Sequence, residues 1–91
     1  MEHKKILKIK NDLGLHGRAA AKIVDLKRKY KSKLYFKKDG NNEVDGSNIL
    51  SILTLSGSKG SKVEARAVGS DSNELIEKLA QLFEKKFGEG K

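Results

Sequence analysis

No cysteine occurs among the 91 residues, so the chain forms neither a disulfide framework nor a thiolate metal site. Proline is also absent, and no helix is interrupted by a missing amide donor. The aromatic side chains are Tyr30, Tyr35, Phe36, Phe83 and Phe87 alone, poor material for stacking nucleic-acid bases. No apolar run approaches the roughly 20 residues that cross a bilayer. The basic start "MEHKKILKIK" is not followed by an apolar stretch of the signal-peptide type. These absences predict a soluble, cytoplasmic protein without membrane insertion. The length fits one small domain, residues 1–91, with a thin core and a frayed segment at 88–91.

Charge is abundant and uneven. The net charge is +8, but residues 1–38 carry a balance of +10 and residues 39–91 a balance of −2. A positive field of this kind speeds encounter with acidic partners. Nucleic acid is the weaker reading, because the lysines are spread over several elements and no binding motif is present.

Periodicity divides the chain into seven elements. In "HKKILKIK" Leu7 and Ile9 alternate with polar positions, as in a half-buried strand. "NDLGLHG" breaks the alternation and reads as a loop. From Arg18 to Tyr30 the spacing turns helical, with His16 or its neighbour at the cap. "SKLYFKK" predicts a second strand, and Asp39-Gly40 a hairpin returning through a short strand near Glu43–Asp45. In "GSNILSILTLSG" Ser47 and Gly57 bracket an apolar run as cap and stop, which predicts a short helix. "SKVEARAVG" alternates as a strand. The last helix places Leu75, Ile76, Leu79, Leu82, Phe83 and Phe87 on one stripe, with Asp71 and Glu74 spaced as a capping box. The expectation is an α+β fold: one sheet, helices on one face, the other face wet.

The stretch "LHGR" puts His16 and Arg18 at the mouth of the first helix. A free imidazole is mostly neutral at pH 7, with a reference pKa of about 6.5. Its lone pair is then a nucleophile toward phosphorus. A helix start adds unpaired amides, here those of Gly17 and Arg18, that bind an anion. Glycine lets the backbone approach closely, and a guanidinium reaches phosphate oxygens with a fork of donors. Two readings fit the tetrapeptide: phosphorylation of His16, or a capping loop histidine beside a solvated arginine. A metal site is not predicted, since only His3 joins His16 and no carboxylate completes a ligand set. No cofactor is expected. A serine hydrolase lacks its G-x-S-x-G turn.

"LGLHGRAAAKIV" resembles the phosphohistidine signature of the HPr family, the phosphocarriers of the bacterial sugar phosphotransferase system, usually close to G-L-H-A-R-P-A. "NILSILTL" and "KGSKVEARAVGSDSNELIEKLAQLFE" extend the similarity, which covers residues 3–87. The resemblance implies an open-faced β-sandwich, a four-stranded antiparallel sheet under three helices in the order βαββαβα. It implies a carrier, not an enzyme, and nothing in the sequence demands a dimer, so a monomer is expected. His16 would take a phosphoryl group on Nδ1 from enzyme I and pass it to a IIA component, with Arg18 handling the phosphate. A nitrogen-type paralogue, regulating target proteins through the state of His16, is the alternative. Ala21, Ile49, Leu50 and Leu53 match an apolar patch that docks donor and acceptor, although the residue pattern alone fits core positions equally well. Three positions depart from the family pattern. Ala19 stands for the usual proline, Gly17 for the usual alanine, and Asn48 for the serine that a dedicated kinase modifies in many relatives. No serine switch is therefore expected, and Ser47 and Ser51 are read as capping or solvated.

Overall fold

The computed structural model describes residues 1–91. The chain runs β1 (Glu2–Lys8), α1 (Gly17–Lys27), β2 (Lys33–Lys37), β3 (Val44–Asp45), α2 (Ile49–Leu53), β4 (Lys62–Val68) and α3 (Ser72–Glu84), followed by a 3₁₀ turn at Lys86–Gly88. The four strands form an antiparallel sheet in the order β1-β4-β2-β3. Register explains why one face is dry. Leu7 lies opposite Val63, and Ala65 and Ala67 of β4 lie opposite Phe36 and Leu34 of β2. All six are buried. Small alanines on the central strand leave room for Phe36 and for the helices above it. This is the expected HPr-like α+β architecture, with the helices on that face.

The helices bury the stripes their spacing predicts. α1 contributes Ala19, Ala20, Ile23 and Val24, and α3 contributes Leu75, Ile76, Leu79 and Phe83. Phe83 stacks at a tilt between Phe36 and Phe87, with ring centroids 6.4 and 4.9 Å away. On the wet face Arg66 lies 4.6 Å from the Tyr35 ring centroid and donates twice to Glu43. The hairpin closes at Lys38–Asn41, where Asp39 and Gly40 both take positive φ, as that turn requires.

Three details differ from the sequence reading. Asn48, not Ser47, caps α2: its Oδ1 accepts from the Ser51 amide at 3.1 Å. Ser47 is held by Asp45, to which it donates through both its amide (2.8 Å) and its hydroxyl (2.6 Å). Asp71 makes no capping bond to α3. Its carboxylate instead accepts from the amides of Lys31 and Ser32, each at 2.9 Å, and from the Ser32 hydroxyl. The cause is close approach at Gly69, where a Cβ would sit 2.7 Å from Ser32 Cα. Asp71 is thereby delivered to the α1–β2 connection. The third difference is at the expected frayed segment. Glu89, within residues 88–91, folds back onto the His16 loop, next to Phe87, which is buried as its place on the stripe predicts.

The Ser32 hydroxyl and the amides beside it hold the Asp71 carboxyl below its ordinary value. A depressed native pKa stabilises the fold above the unfolded value, about 3.9, and that stabilisation is lost as pH falls through the native value. Asp71→Asn is therefore expected to lower the melting temperature at pH 7. The gap from the parent should be smaller at about pH 3, below the unfolded value, because the unfolded state takes up its proton first. An equal gap at both pH values would show that the charge of Asp71 contributes nothing.

Candidate functional site

The site begins with a turn. Gly14 has φ +66°, and a Cβ there would overlap the Gly57 carbonyl. Only glycine satisfies both demands. The close approach lets the Leu15 amide donate to Gly57 O at 2.9 Å, and Leu15 is buried. Leu15 thus anchors the loop, and His16 emerges as the N-cap residue of α1 with extended backbone (φ −80°, ψ 179°).

The imidazole performs the cap. Its Nδ1 accepts from the Arg18 amide at 3.1 Å, while the Ala20 amide closes the first helical bond onto the His16 carbonyl at 2.9 Å. The amides of Gly17 and Ala19 have no partner within the protein, as expected for the first turn of a helix. A Cβ at Gly17 would meet nothing within 4 Å, so the approach to these amides is open. The Arg18 side chain is exposed and makes no hydrogen bond or ion pair, leaving all its donors free. The structure therefore brings His16, Gly17 and Arg18 together around Nδ1. His3 is engaged elsewhere, its Nδ1 2.8 Å from Ser72 Oγ at the start of α3.

The apolar residues singled out in α1 and α2 divide by exposure. Ile52 faces the core completely, so Ile49 (38% exposed) and Leu50 (73%) must point outward from a helix this short. Leu53 packs partly against the core, and Ala21 is half-buried. Leu13, in the histidine loop, is 70% exposed and is an additional apolar contributor that periodicity gives no reason to single out.

Two further residues reach the site, and the sequence reading misses both. Asn11 is fully buried. Its Nδ2 donates to the Gly14 carbonyl at 2.8 Å and to Glu89 Oε1 at 2.9 Å. The other oxygen of Glu89 meets His16 Nε2. Burial alone would raise the Glu89 carboxyl. The hydrogen bonds from Asn11 and His16, with the positive charge of Arg18, outweigh burial and hold it below its ordinary value. Reaching this position demands unusual backbone: Lys86, Phe87 and Gly88 take φ of +57°, +56° and +76° in succession. Such conformations cost on the order of 1–3 kcal/mol for each non-glycine residue. Burying Phe87 returns roughly 1.5–3 kcal/mol, and the Lys22 ammonium donates to the Phe87 carbonyl. The only sequence signal is the pair of glycines flanking Glu89, which suggests fraying as readily as a turn.

A family model described as the PTS HPr component phosphorylation site matches residues 3–85, and the chain belongs to the HPr family of the phosphotransferase system. The chain is 35% identical over 89 residues to the phosphocarrier protein HPr of Xylella fastidiosa (strain Temecula1), covering 98% of this chain and 97% of that one. It is 28% identical to the phosphocarrier protein NPr of Escherichia coli K12 over 98% of this chain and 99% of that one. A crystal structure of HPr-C-His from Thermoanaerobacter tengcongensis superposes with a TM-score of 0.90 at 39% identity, covering 96% and 97% of the two chains.

Replacing Gly14 by alanine tests the foundation of the loop. The forced positive φ and the collision with Gly57 predict a loss of about 1–3 kcal/mol. Chemical denaturation reads this directly, and an unchanged midpoint would mean that the loop has another way to seat Leu15.

Proposed function

We propose that His16 is the phosphoryl acceptor of this chain, modified on Nδ1 by phosphorylated enzyme I and discharged to a IIA-type acceptor. The observation that carries the reading is the Arg18 amide donating to Nδ1 at 3.1 Å. A donor at that distance requires a lone pair on Nδ1, and that lone pair is the nucleophile. It attacks phosphorus while the bond from phosphorus to the donor atom breaks, its electron pair remaining on the donor. No proton from solvent is needed. As the bond to Nδ1 forms, the Arg18 amide exchanges the lone pair for a phosphoryl oxygen. The amides of Gly17 and Ala19 and the Arg18 guanidinium are the remaining donors for charge spread over the equatorial oxygens.

Ala21, Ile49, Leu50 and Leu53 are the docking surface in this reading. The exposed Leu50 supplies an apolar anchor on α2, the helix next to α1. The balance of +10 on residues 1–38 steers acidic partners toward the histidine. With Asn48 spent as the cap of α2, the position of the usual regulatory serine has no hydroxyl to modify. We infer a monomeric, cytoplasmic carrier that is not an enzyme and binds no nucleic acid. The nitrogen-type paralogue keeps the same residues and is supported by the similarity to NPr along the whole chain.

Intact mass after incubation with phosphoenolpyruvate and a sugar-type enzyme I should show one phosphate, absent from His16→Ala. Label persisting in that variant would overturn the assignment. Arg18→Ala should still accept phosphate, at a rate lower by about 10²-fold, the usual effect of deleting one preorganised donor. Faster charging by a nitrogen-type enzyme I than by a sugar-type one would favour the paralogue.

A further inference from the structure

We propose that Glu89 is a positioning residue for His16: it fixes the ring in the tautomer that leaves Nδ1 free, and it balances the charge the ring acquires on phosphorylation. This rests on the phosphocarrier reading and adds a residue to it. The argument begins with donors and acceptors. The Arg18 amide can only donate, so Nδ1 must accept. An ionised carboxylate can only accept, so Nε2, which faces Glu89 Oε2, must carry the proton. The two contacts sit on opposite sides of one ring and demand the same neutral tautomer. Neither nitrogen can exchange roles without breaking a bond.

The carboxylate is itself held by Asn11, and the backbone is pinned on both sides of Glu89. Asn11 Nδ2 donates to Oε1 at 2.9 Å, and Asn11 is clamped by its second bond to Gly14 O, inside the histidine loop. Lys22 grips the Phe87 carbonyl, and the Asp12 amide donates to Lys91 O at 3.1 Å, on either side of Glu89. The run of left-handed residues 86–88 aims the side chain at the ring. An outlying backbone held this firmly is grounds for inferring function.

The chemistry uses both effects. When Nδ1 gains phosphorus and Nε2 keeps its proton, the ring becomes a cation. The electron pair of the new N–P bond comes from Nδ1, and that of the broken bond stays on the donor. Glu89 then faces the only N–H of a positively charged imidazole. It favours that state as the buried aspartate of a serine-protease triad favours its imidazolium.

Glu89→Gln is the incisive variant, because Asn11 dictates the amide orientation. The oxygen of the substituted side chain must face the Asn11 donor, which turns its NH₂ group toward His16 Nε2. Nε2 is then pressed to accept, and the proton moves to Nδ1, where it blocks attack and opposes the Arg18 amide. ¹⁵N NMR of the histidine ring should show the Nε2–H form in the parent and a shift toward Nδ1–H in Glu89→Gln. Steady-state transfer from enzyme I should show kcat lowered at least about tenfold, well short of the ~10⁴-fold seen when a triad is forced into the wrong tautomer. KM should be unchanged, since Glu89 is covered by its own chain. Glu89→Ala removes the acceptor without adding a donor and should fall between the two in kcat, with circular dichroism confirming its fold. Parental tautomer and parental kcat in Glu89→Gln would overturn the proposal. If that variant does not fold, the same result in Glu89→Ala overturns it. The tautomer is read without any phosphoryl donor. A parent that shows Nε2–H but takes no phosphate would therefore fail the phosphocarrier reading and leave the positioning geometry standing.

Discussion

The arrangement turns on one hydrogen bond, from the Arg18 amide to the ring nitrogen of His16. Helix α1 needs a cap, and side chains that cap helices this way contribute about 1 kcal/mol. Serine or aspartate would do so permanently. On the proposed reading, an imidazole caps with the lone pair that is also its reactive site, so the helix end and the nucleophile are one object. Modification there would not strand the helix, because phosphoryl oxygens would accept from the same amides that the nitrogen releases. The cap would then be renewed with stronger, ion-assisted bonds. A carrier must give up its cargo as readily as it takes it, and a helix end satisfied in both states suits that requirement.

Apart from the Arg18 amide, the groups around the ring limit its freedom without touching Nδ1. Gly14 makes the turn, Leu15 sinks into the core, and Gly57 leaves room for both: a Cβ on Gly57 would sit 2.6 Å from Ile9 Cδ1 and 2.9 Å from Leu15 Cδ1. Asn11 links the turn to Glu89. The sheet supplies rigidity beneath, since Ile9, just past β1, is fully buried and its carbonyl accepts from the Gly60 amide at 2.7 Å.

The elements were legible because period-two and period-3.6 patterns report burial directly. Leu34 and Phe36 fall on one face of β2, and Leu75, Leu79 and Phe83 on one face of α3, as their spacing requires. His16 and Arg18 stood out as chemistry at a helix mouth, and their neighbourhood in sequence is also their neighbourhood in space. The contacts that were illegible join residues far apart. Asp71 has the spacing of a capping box, but the approach of Gly69 to Ser32 offers it better donors about forty residues away. Ser47 has the look of the cap in sequence, but Asp45 captures the serine and Asn48 caps the helix instead. Glu89 meets His16 across 73 residues, through a turn with two non-glycine residues at positive φ, and no local pattern encodes such a path.

That long-range contact also bears on what the chain lacks. Proline at position 19, usual in the family, would stiffen the first turn of α1 through its fixed φ. Alanine gives up that stiffness and, carrying an amide hydrogen that proline does not have, adds a donor to the open helix end. Gly17 loosens the same turn further. A histidine cap on a softer helix start is held in register less firmly by its own backbone. Here the ring is fastened at both nitrogens, by Arg18 on one side and by Glu89 on the other, and Glu89 is in turn fastened to the loop through Asn11. Restraint that a proline would supply through the backbone is supplied through the side chains, with one more hydrogen-bond donor at the position where a phosphoryl group would sit.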